Sequence, residues 1–94
     1  MIVLGKIYTS IQVQNLEVIR NQTDFNVYFK FQDKEGRHSV SILGVRDVEE
    51  IGQLFEAERL WINKDDDSQV EYGIYTLGIS SEAYYEFPFD KLNI

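Results

Sequence analysis

Residues 25–32, with the sequence FNVYFKFQ, carry the strongest secondary-structure signal in this chain. Large apolar side chains alternate there with polar or amphipathic ones, and this period of two is typical of a half-buried strand. The apolar positions are Phe25, Val27, Phe29 and Phe31. The following DKEG sequence at residues 33–36 predicts a turn, because glycine can adopt a positive φ. A short apolar alternation over residues 38–43 completes a predicted β-hairpin.

Two further runs rich in β-branched residues precede the hairpin, at residues 2–8 and 11–19. The second run changes its apolar phase, so side chains before and after Asn15 would lie on opposite faces of a regular strand. These side chains are Ile11 and Val13 before it and Leu16 and Val18 after it. An extra residue in one strand of a pair shifts the phase in this way, and we therefore expect a β-bulge near Asn15.

A helix is predicted at about residues 46–58. Asp47 and Glu50, three positions apart, fit a capping box in which Asp replaces Ser or Thr. Apolar residues then recur at helical spacing and leave the glutamates on the opposite side. The apolar stripe consists of Val48, Ile51, Leu54 and Phe55.

Residues 59–63 are predicted to form a strand. If the helix continued through them, Glu58 would lie inside its apolar stripe and Leu60 would lie on its solvent side. The charged residues 64–68 then form a hairpin loop, and residues 69–79 form the return strand. That return strand has apolar residues on both faces, which is typical of a central position in a sheet.

Together these elements predict an α+β fold, with a mainly antiparallel sheet of five to seven strands and one helix, in a single domain spanning residues 1–94. If the first two runs fuse into one bent strand, the core order β-β-β-α-β-β is that of an OB-like, partly closed barrel. An open antiparallel sheet with the helix on one face explains the same order. Neither architecture determines a function by itself.

The composition restricts the chemistry of this 94-residue chain. It contains no cysteine, which excludes disulfides and thiolate metal sites. No stretch approaches the roughly 18 apolar residues that a membrane span requires. The first residues, MIVLGK, are too short an apolar run and wrongly flanked for a signal peptide. We therefore expect a cytoplasmic protein that makes no contact with a membrane.

Negative charge is concentrated in residues 47–71. This segment carries nine acidic and two basic residues, a net charge of −7, whereas residues 1–46 carry +2 and residues 72–94 carry −2. It therefore accounts for the whole formal charge of −7. A concentrated field of one sign steers association with partners of the opposite sign.

The charge distribution predicts a small, acidic, non-enzymatic binding protein. We expect an inhibitor or immunity-type factor that masks a basic surface of a partner protein, for example a nucleic-acid-binding surface, with carboxylates standing in for phosphates. In the alternative interpretation, the acids only solvate the surface and the aromatic residues beside the loop pack in the core. The predicted partner contacts are Asp65, Asp66, Asp67 and Glu71 in the loop, Glu49, Glu50 and Glu56 on the helix, and Trp61 and Tyr72 as aromatic anchors.

The sequence matches none of the catalytic and metal-binding motifs considered for it. An EF-hand loop starting at Asp65 would place Val70 at the glycine position and Thr76 at the bidentate glutamate position. His38 is the single histidine, and its neighbour Ser39 would point to the opposite face of the strand. No glycine-rich phosphate loop is present. We therefore expect no catalytic residue, no metal site and no cofactor.

Two alternative functions remain. In the first, the chain is an assembly subunit that self-associates through its aromatic C-terminal segment, residues 84–89, where Pro88 indicates an edge strand. In the second, an OB-like barrel binds single-stranded nucleic acid through Tyr28 and Lys30 on one strand face. The net charge argues against direct nucleic-acid binding, because phosphate contacts dominate such affinity. The cations that would support nucleic-acid binding are Lys6, Arg37 and Arg46.

Overall fold

In the computed structural model, residues 2–65 and 74–93 are described. They form a mainly antiparallel β fold with one short helix. The strands are β1 (Tyr8–Thr9), β2 (Gln12–Asn21), β3 (Asp24–Asp33), β4 (Gly36–Val45), β5 (Arg59–Lys64), β6 (Tyr75–Ser80), β7 (Tyr84–Phe89) and β8 (Lys91–Asn93). Sheet A contains the strands in the order β1-β5-β6-β7, and sheet B contains them in the order β2-β3-β4-β8.

The predicted hairpin at the centre of sheet B is confirmed. Strands β3 and β4 pair from Phe25 with Val45 to Asp33 with Gly36, where the glycine has a φ of +139°. The apolar side of β3 is buried as its alternation requires. The bulge expected near Asn15 is also confirmed, because the pairing of β2 with β3 shifts register between Val13 and Asn15.

The helix predicted at about residues 46–58 is wrong in kind and in length. The structure instead contains a 3-10 helix at Ile51–Glu56. Phe55, which a regular α-helix would bury, is 53% exposed. The buried and half-buried positions recur every third residue, which matches the three residues per turn of a 3-10 helix. They are Val48, Ile51, Leu54 and Ala57.

The predicted capping box is also absent from this segment. Glu50 occupies the N-cap position and makes no side-chain capping hydrogen bond. The carboxylate of Asp47 instead accepts a hydrogen bond from the backbone amide of Glu49 at 3.0 Å. A local turn therefore precedes the 3-10 helix, and such side-chain contacts compete with a regular α-helical start.

The predicted strand number is too low, and the OB-like barrel is not confirmed. The described residues contain eight strands in two sheets, and no barrel closes among them. After β4 the chain leaves sheet B through the 3-10 helix. Strand β5 then pairs with β1 and β6 in sheet A and not with β4. The helical segment therefore connects two sheets and does not continue one.

The C-terminal segment contributes to both sheets. Strand β7 lies at the edge of sheet A, as Pro88 predicts. The backbone amide of Asp90 then donates to the carbonyl of Leu43 at 2.9 Å, and its carboxylate accepts two hydrogen bonds from Arg46 at 2.8 and 2.9 Å. The last strand, β8, pairs with β4 in sheet B. The predicted single edge strand is thus two strands separated by this corner.

The two sheets share one hydrophobic core. Alternation places one face of each sheet inward, and the inward side chains form a single buried cluster. This packing leaves the other face of each sheet available at the surface. The fully buried large side chains are Tyr8, Phe29, Phe31, Phe89, Ile42, Leu54, Leu60, Ile62, Leu77, Ile79, Val27 and Val40.

Candidate partner-binding site

Three glutamates from two segments of the chain line one shallow depression, which we call the acidic groove. Glu56 ends the 3-10 helix, Glu58 lies just before β5, and Glu82 lies in the turn between β6 and β7. The backbone amide of Glu58 donates to the carbonyl of Ser80 at 2.9 Å and thereby holds the two chain segments together. The remaining lining residues are Gln53, Ser81 and Ala83.

The carboxylates of the acidic groove are exposed and unpaired within the described part of the chain. Glu56, Glu58 and Glu82 form no salt bridge with a described cation. Glu35 behaves differently, since it accepts a hydrogen bond from the ammonium of Lys6 at 2.9 Å, which raises the pKa of Lys6. The groove therefore presents carboxylates to the solvent that no ion pair with a described residue neutralises.

The predicted contact residues have different positions in the fold. Glu56 lines the acidic groove, and Glu49 and Glu50 are exposed in the turn before the 3-10 helix. Asp65 is exposed directly after β5, and its backbone amide donates to the carbonyl of Ile74 at 2.6 Å. The other predicted loop contacts lie outside the described residues; these are Asp66, Asp67, Glu71 and Tyr72.

Two groove residues were missed as candidate contacts by the sequence argument. Glu58 lies within the acidic segment, but its position in the sequence indicates only where the predicted helix ends. Glu82 lies outside that segment, in residues 72–94, which carry a net charge of only −2. The pairing of β5 with β6 brings these two residues to one groove. No local sequence signal predicts that proximity.

Trp61 lies on the outer face of sheet A, since its neighbours Leu60 and Ile62 are both fully buried in the core. Its indole ring extends across Gly78, which is its partner on β6. The ring of Tyr84 stacks on it with centroids 5.6 Å apart and an interplanar angle of 30°. The hydroxyl of Tyr84 donates to the carboxylate of Glu86, and this hydrogen bond raises the pKa of Tyr84.

The outer face of sheet B carries the residues considered for nucleic-acid binding. Tyr28 and Lys30 line a shallow groove there, together with Glu17, which is the β2 partner of Tyr28. Of the supporting cations, Lys6 is paired with Glu35 and Arg46 with Asp90. A carboxylate thus lies beside the aromatic ring, where a phosphate-binding surface would need positive charge.

His38 lies in a partly buried corner of the fold, where its side chain is 11% exposed. Its Nε2 lies 3.1 Å from Oδ1 of Asp33, and its ring stacks on Phe31 with centroids 4.7 Å apart. Burial alone would raise the pKa of Asp33. The hydrogen bonds from His38 and from the backbone amides of Glu35 and Gly36 outweigh that effect, so the pKa of Asp33 lies below its usual value.

Searches for two other features of the described residues gave negative results. No group of three or more potential metal ligands comes close enough together to hold an ion in residues 2–65 and 74–93. Over the same ranges, no helix has the length and apolar character that a membrane crossing needs.

Comparisons with known proteins give no match for this chain. No family model matches it. No curated protein and no solved structure shows significant similarity to it. The functional argument therefore depends on the residues and geometry described above.

Proposed function

We propose that this protein binds a basic surface of a partner protein and masks it, as an inhibitor or immunity-type factor. One observation carries the proposal: three exposed glutamates, from two segments of the chain, line one groove and form no salt bridge with a described cation. Like charges held near one another repel and reduce the stability of the compact state. A basic partner would relieve that repulsion on binding.

The acidic groove belongs to a wider field of negative charge. Glu49 and Glu50 are exposed on the segment that leads into the groove, and Asp65 is exposed at the end of β5. Asp66, Asp67 and Glu71 add charge in the same stretch of sequence. Complementary fields of this kind accelerate encounter with the partner and select against acidic competitors. The proposed role is non-enzymatic and cytoplasmic.

The test is capture of a partner from lysate of the native host, followed by binding with both proteins purified. Four forms are compared: wild type, the groove variant Glu56→Gln/Glu82→Gln, the loop variant Asp65→Asn/Asp66→Asn/Asp67→Asn, and the control variant Glu17→Gln/Glu35→Gln. The groove and control variants each remove two carboxylates, from different surfaces. The proposal expects a basic partner whose affinity for wild type falls steeply with added salt.

For the purified pair, we expect the groove variant to weaken binding about tenfold or more at low salt, since charge pairs at interfaces contribute on the order of 1–3 kcal/mol. The control variant should bind like wild type. Loss in the loop variant alone would move the interface to the aspartates and away from the groove. A partner that is acidic, or that binds all four forms equally, would exclude the proposal.

Self-association is the second candidate function, and one observation favours it. Strand β7 is an edge strand of sheet A, and its open side pairs with no described strand. Unpaired strand edges can bind a second chain by extending the sheet. A separate group of exposed apolar side chains precedes β1, which forms the opposite edge of sheet A; Val3 is 53%, Leu4 45% and Ile7 58% exposed. A sizing column distinguishes the two functions, because assembly requires a stable oligomer of the protein alone.

A further inference from the structure

The outer face of sheet A contains an aromatic pair that the fold accommodates closely. At Gly78, an added Cβ would overlap Cε2 and Nε1 of Trp61, so only glycine leaves space for the indole ring in this position. Tyr84 stacks on that ring and is itself 57% exposed. The pair therefore presents one accessible ring supported from below by a second ring. Trp61 and Tyr84 are called the aromatic pair below.

The aromatic pair adjoins the acidic groove. Tyr84 follows the turn that contains Glu82, and it pairs with Ser80, whose carbonyl accepts the hydrogen bond from Glu58. On its other side, the Tyr84 hydroxyl is bonded to the carboxylate of Glu86. Acidic side chains thus flank the exposed ring along the chain in both directions.

This arrangement resembles the energetic centre of a protein interface. Binding energy concentrates in a few residues, among which Trp and Tyr are enriched, and polar groups surround them and exclude water. Aromatic faces attract cations, and the attraction is strongest where the cation is partly desolvated. The carboxylates beside the ring favour a positively charged occupant over a neutral or anionic one.

We propose that an arginine side chain of the basic partner stacks on Tyr84, with the carboxylates beside the ring completing its contacts. This inference rests on the proposed function, because it specifies how the basic partner is recognised. Arginine is preferred to lysine, since its planar guanidinium stacks on aromatic faces and is more weakly hydrated than an ammonium group.

One cation of the protein, Arg59, lies on the same outer face as the aromatic pair and opposes the negative field there. Arg59 is the β5 partner of Ser80, which places it on the same outer face as Tyr84. It forms no described ion pair with the surrounding glutamates, and no described cation lies over either ring of the aromatic pair. An incoming cation would therefore be repelled by Arg59, so removing this charge should strengthen binding.

The experiment uses the fact that Trp61 is the single tryptophan, which makes intrinsic fluorescence a direct report from the site. Wild type is titrated with two synthetic peptides of equal length and charge, one alternating arginine with glycine and the other lysine with glycine. We expect a saturable fluorescence change with the arginine peptide and an affinity about fivefold weaker for the lysine peptide. Both affinities should decrease as salt is added.

Variants separate the ring from its surroundings. Tyr84→Leu should lose about fivefold in affinity for the arginine peptide and should no longer distinguish arginine from lysine. Tyr84→Phe retains the ring and should retain the preference. Tyr28→Leu removes a ring from the outer face of sheet B and is the matched control, with no expected change. Arg59→Gln should bind the arginine peptide about twofold more tightly.

The outcomes distinguish this inference from the proposed function. Equal affinity for the two peptides, or equal affinity of Tyr84→Leu and wild type, would overturn the arginine contact. If the groove variant Glu56→Gln/Glu82→Gln still loses partner binding in that case, the proposed binding of a basic partner stands, and only the arginine contact with Tyr84 is wrong. If the groove variant, the loop variant and Tyr84→Leu all bind like wild type, both proposals fail.

Discussion

Carboxylates in two regions of this molecule have opposite environments. Asp33, at the end of β3, has a side chain that is only 5% exposed, and its Oδ1 accepts hydrogen bonds from the amides of Glu35 and Gly36 and from His38. In the acidic groove, Glu56, Glu58 and Glu82 are exposed and form no salt bridge with a described cation. The carboxylate of Asp33 is thus hydrogen-bonded within the fold, whereas the carboxylates of the acidic groove are accessible to a partner.

The difference shows how to separate structural charge from functional charge. A buried carboxylate must be hydrogen-bonded, because an unpaired buried charge is strongly destabilising. Exposed carboxylates have no such requirement, and a group of them stabilises the fold little or reduces its stability. Substitutions in the two regions should therefore affect different measurements: stability for Asp33, and association for the groove.

The largest expected effect on stability is that of Asp33→Ala. The substitution leaves the turn amides and the partly buried His38 ring without their shared acceptor, and we expect a loss of about 2–4 kcal/mol in the free energy of unfolding. Urea unfolding measures this loss. Asp47→Ala is the matched control, since Asp47 accepts one exposed amide hydrogen bond, from Glu49. Equal losses in the two variants would show that burial of Asp33 adds nothing.

An intermediate effect should appear as a pH dependence. Because the folded-state pKa of Asp33 lies below its usual value, ionised Asp33 contributes full stability above the unfolded-state pKa of about 3.9. This contribution is lost as the pH falls through the lower folded-state value. Asp33→Asn lacks that titration. We expect wild type to be more stable than Asp33→Asn at neutral pH, by about 1–2 kcal/mol, and the difference to narrow below pH 4.

Urea midpoints measured across that pH range for both proteins test this dependence. The carboxylates distant from Asp33 are common to both chains, so the difference between the proteins reports the titration of Asp33 together with its hydrogen-bonded partner His38. If the difference in stability between wild type and Asp33→Asn stayed constant from neutral to acidic pH, the negative charge of Asp33 would not contribute to stability.

The sequence predicts strands β2 to β5 well, because alternation is a local property, whereas only Tyr8 of the apolar run at residues 2–8 lies in a strand. Phe29 and Phe31 mark the buried side of β3, the phase change at Asn15 marks the bulge, and Pro88 marks the edge. Each of these signals lies within a few residues of the structure it predicts. The pattern at Val48, Ile51 and Leu54 is ambiguous, since a spacing of three fits both an α-helix and a 3-10 helix.

The candidate site depends on contacts that no local pattern contains. Glu58 and Glu82 are far apart in sequence, and they meet because β5 pairs with β6 and the chain then turns into β7. Trp61 and Tyr84 likewise stack across an intervening strand, over Gly78. The choice between two sheets and one barrel determines these neighbours, and that choice depends on tertiary packing.

The smallest expected effect on stability is that of the groove variant Glu56→Gln/Glu82→Gln. Exposed carboxylates without partners contribute little, so we expect a change of less than about 0.5 kcal/mol per site, in the direction of higher stability because repulsion is relieved. The control variant Glu17→Gln/Glu35→Gln should be no more stable than wild type, since it breaks the Lys6–Glu35 ion pair.

Salt dependence sharpens this last comparison. Added salt screens the repulsion between exposed charges, with a Debye length of about 10 Å at 0.1 M ionic strength. It should therefore stabilise wild type more than the groove variant. Urea unfolding at low and high salt, carried out on wild type and both variants, measures the difference. If the groove variant were clearly destabilised, or if salt stabilised it as much as wild type, the groove carboxylates would have a structural role like that of Asp33. Stability that is unchanged by the substitutions, together with lost partner binding, would identify them as charge held at the surface for association.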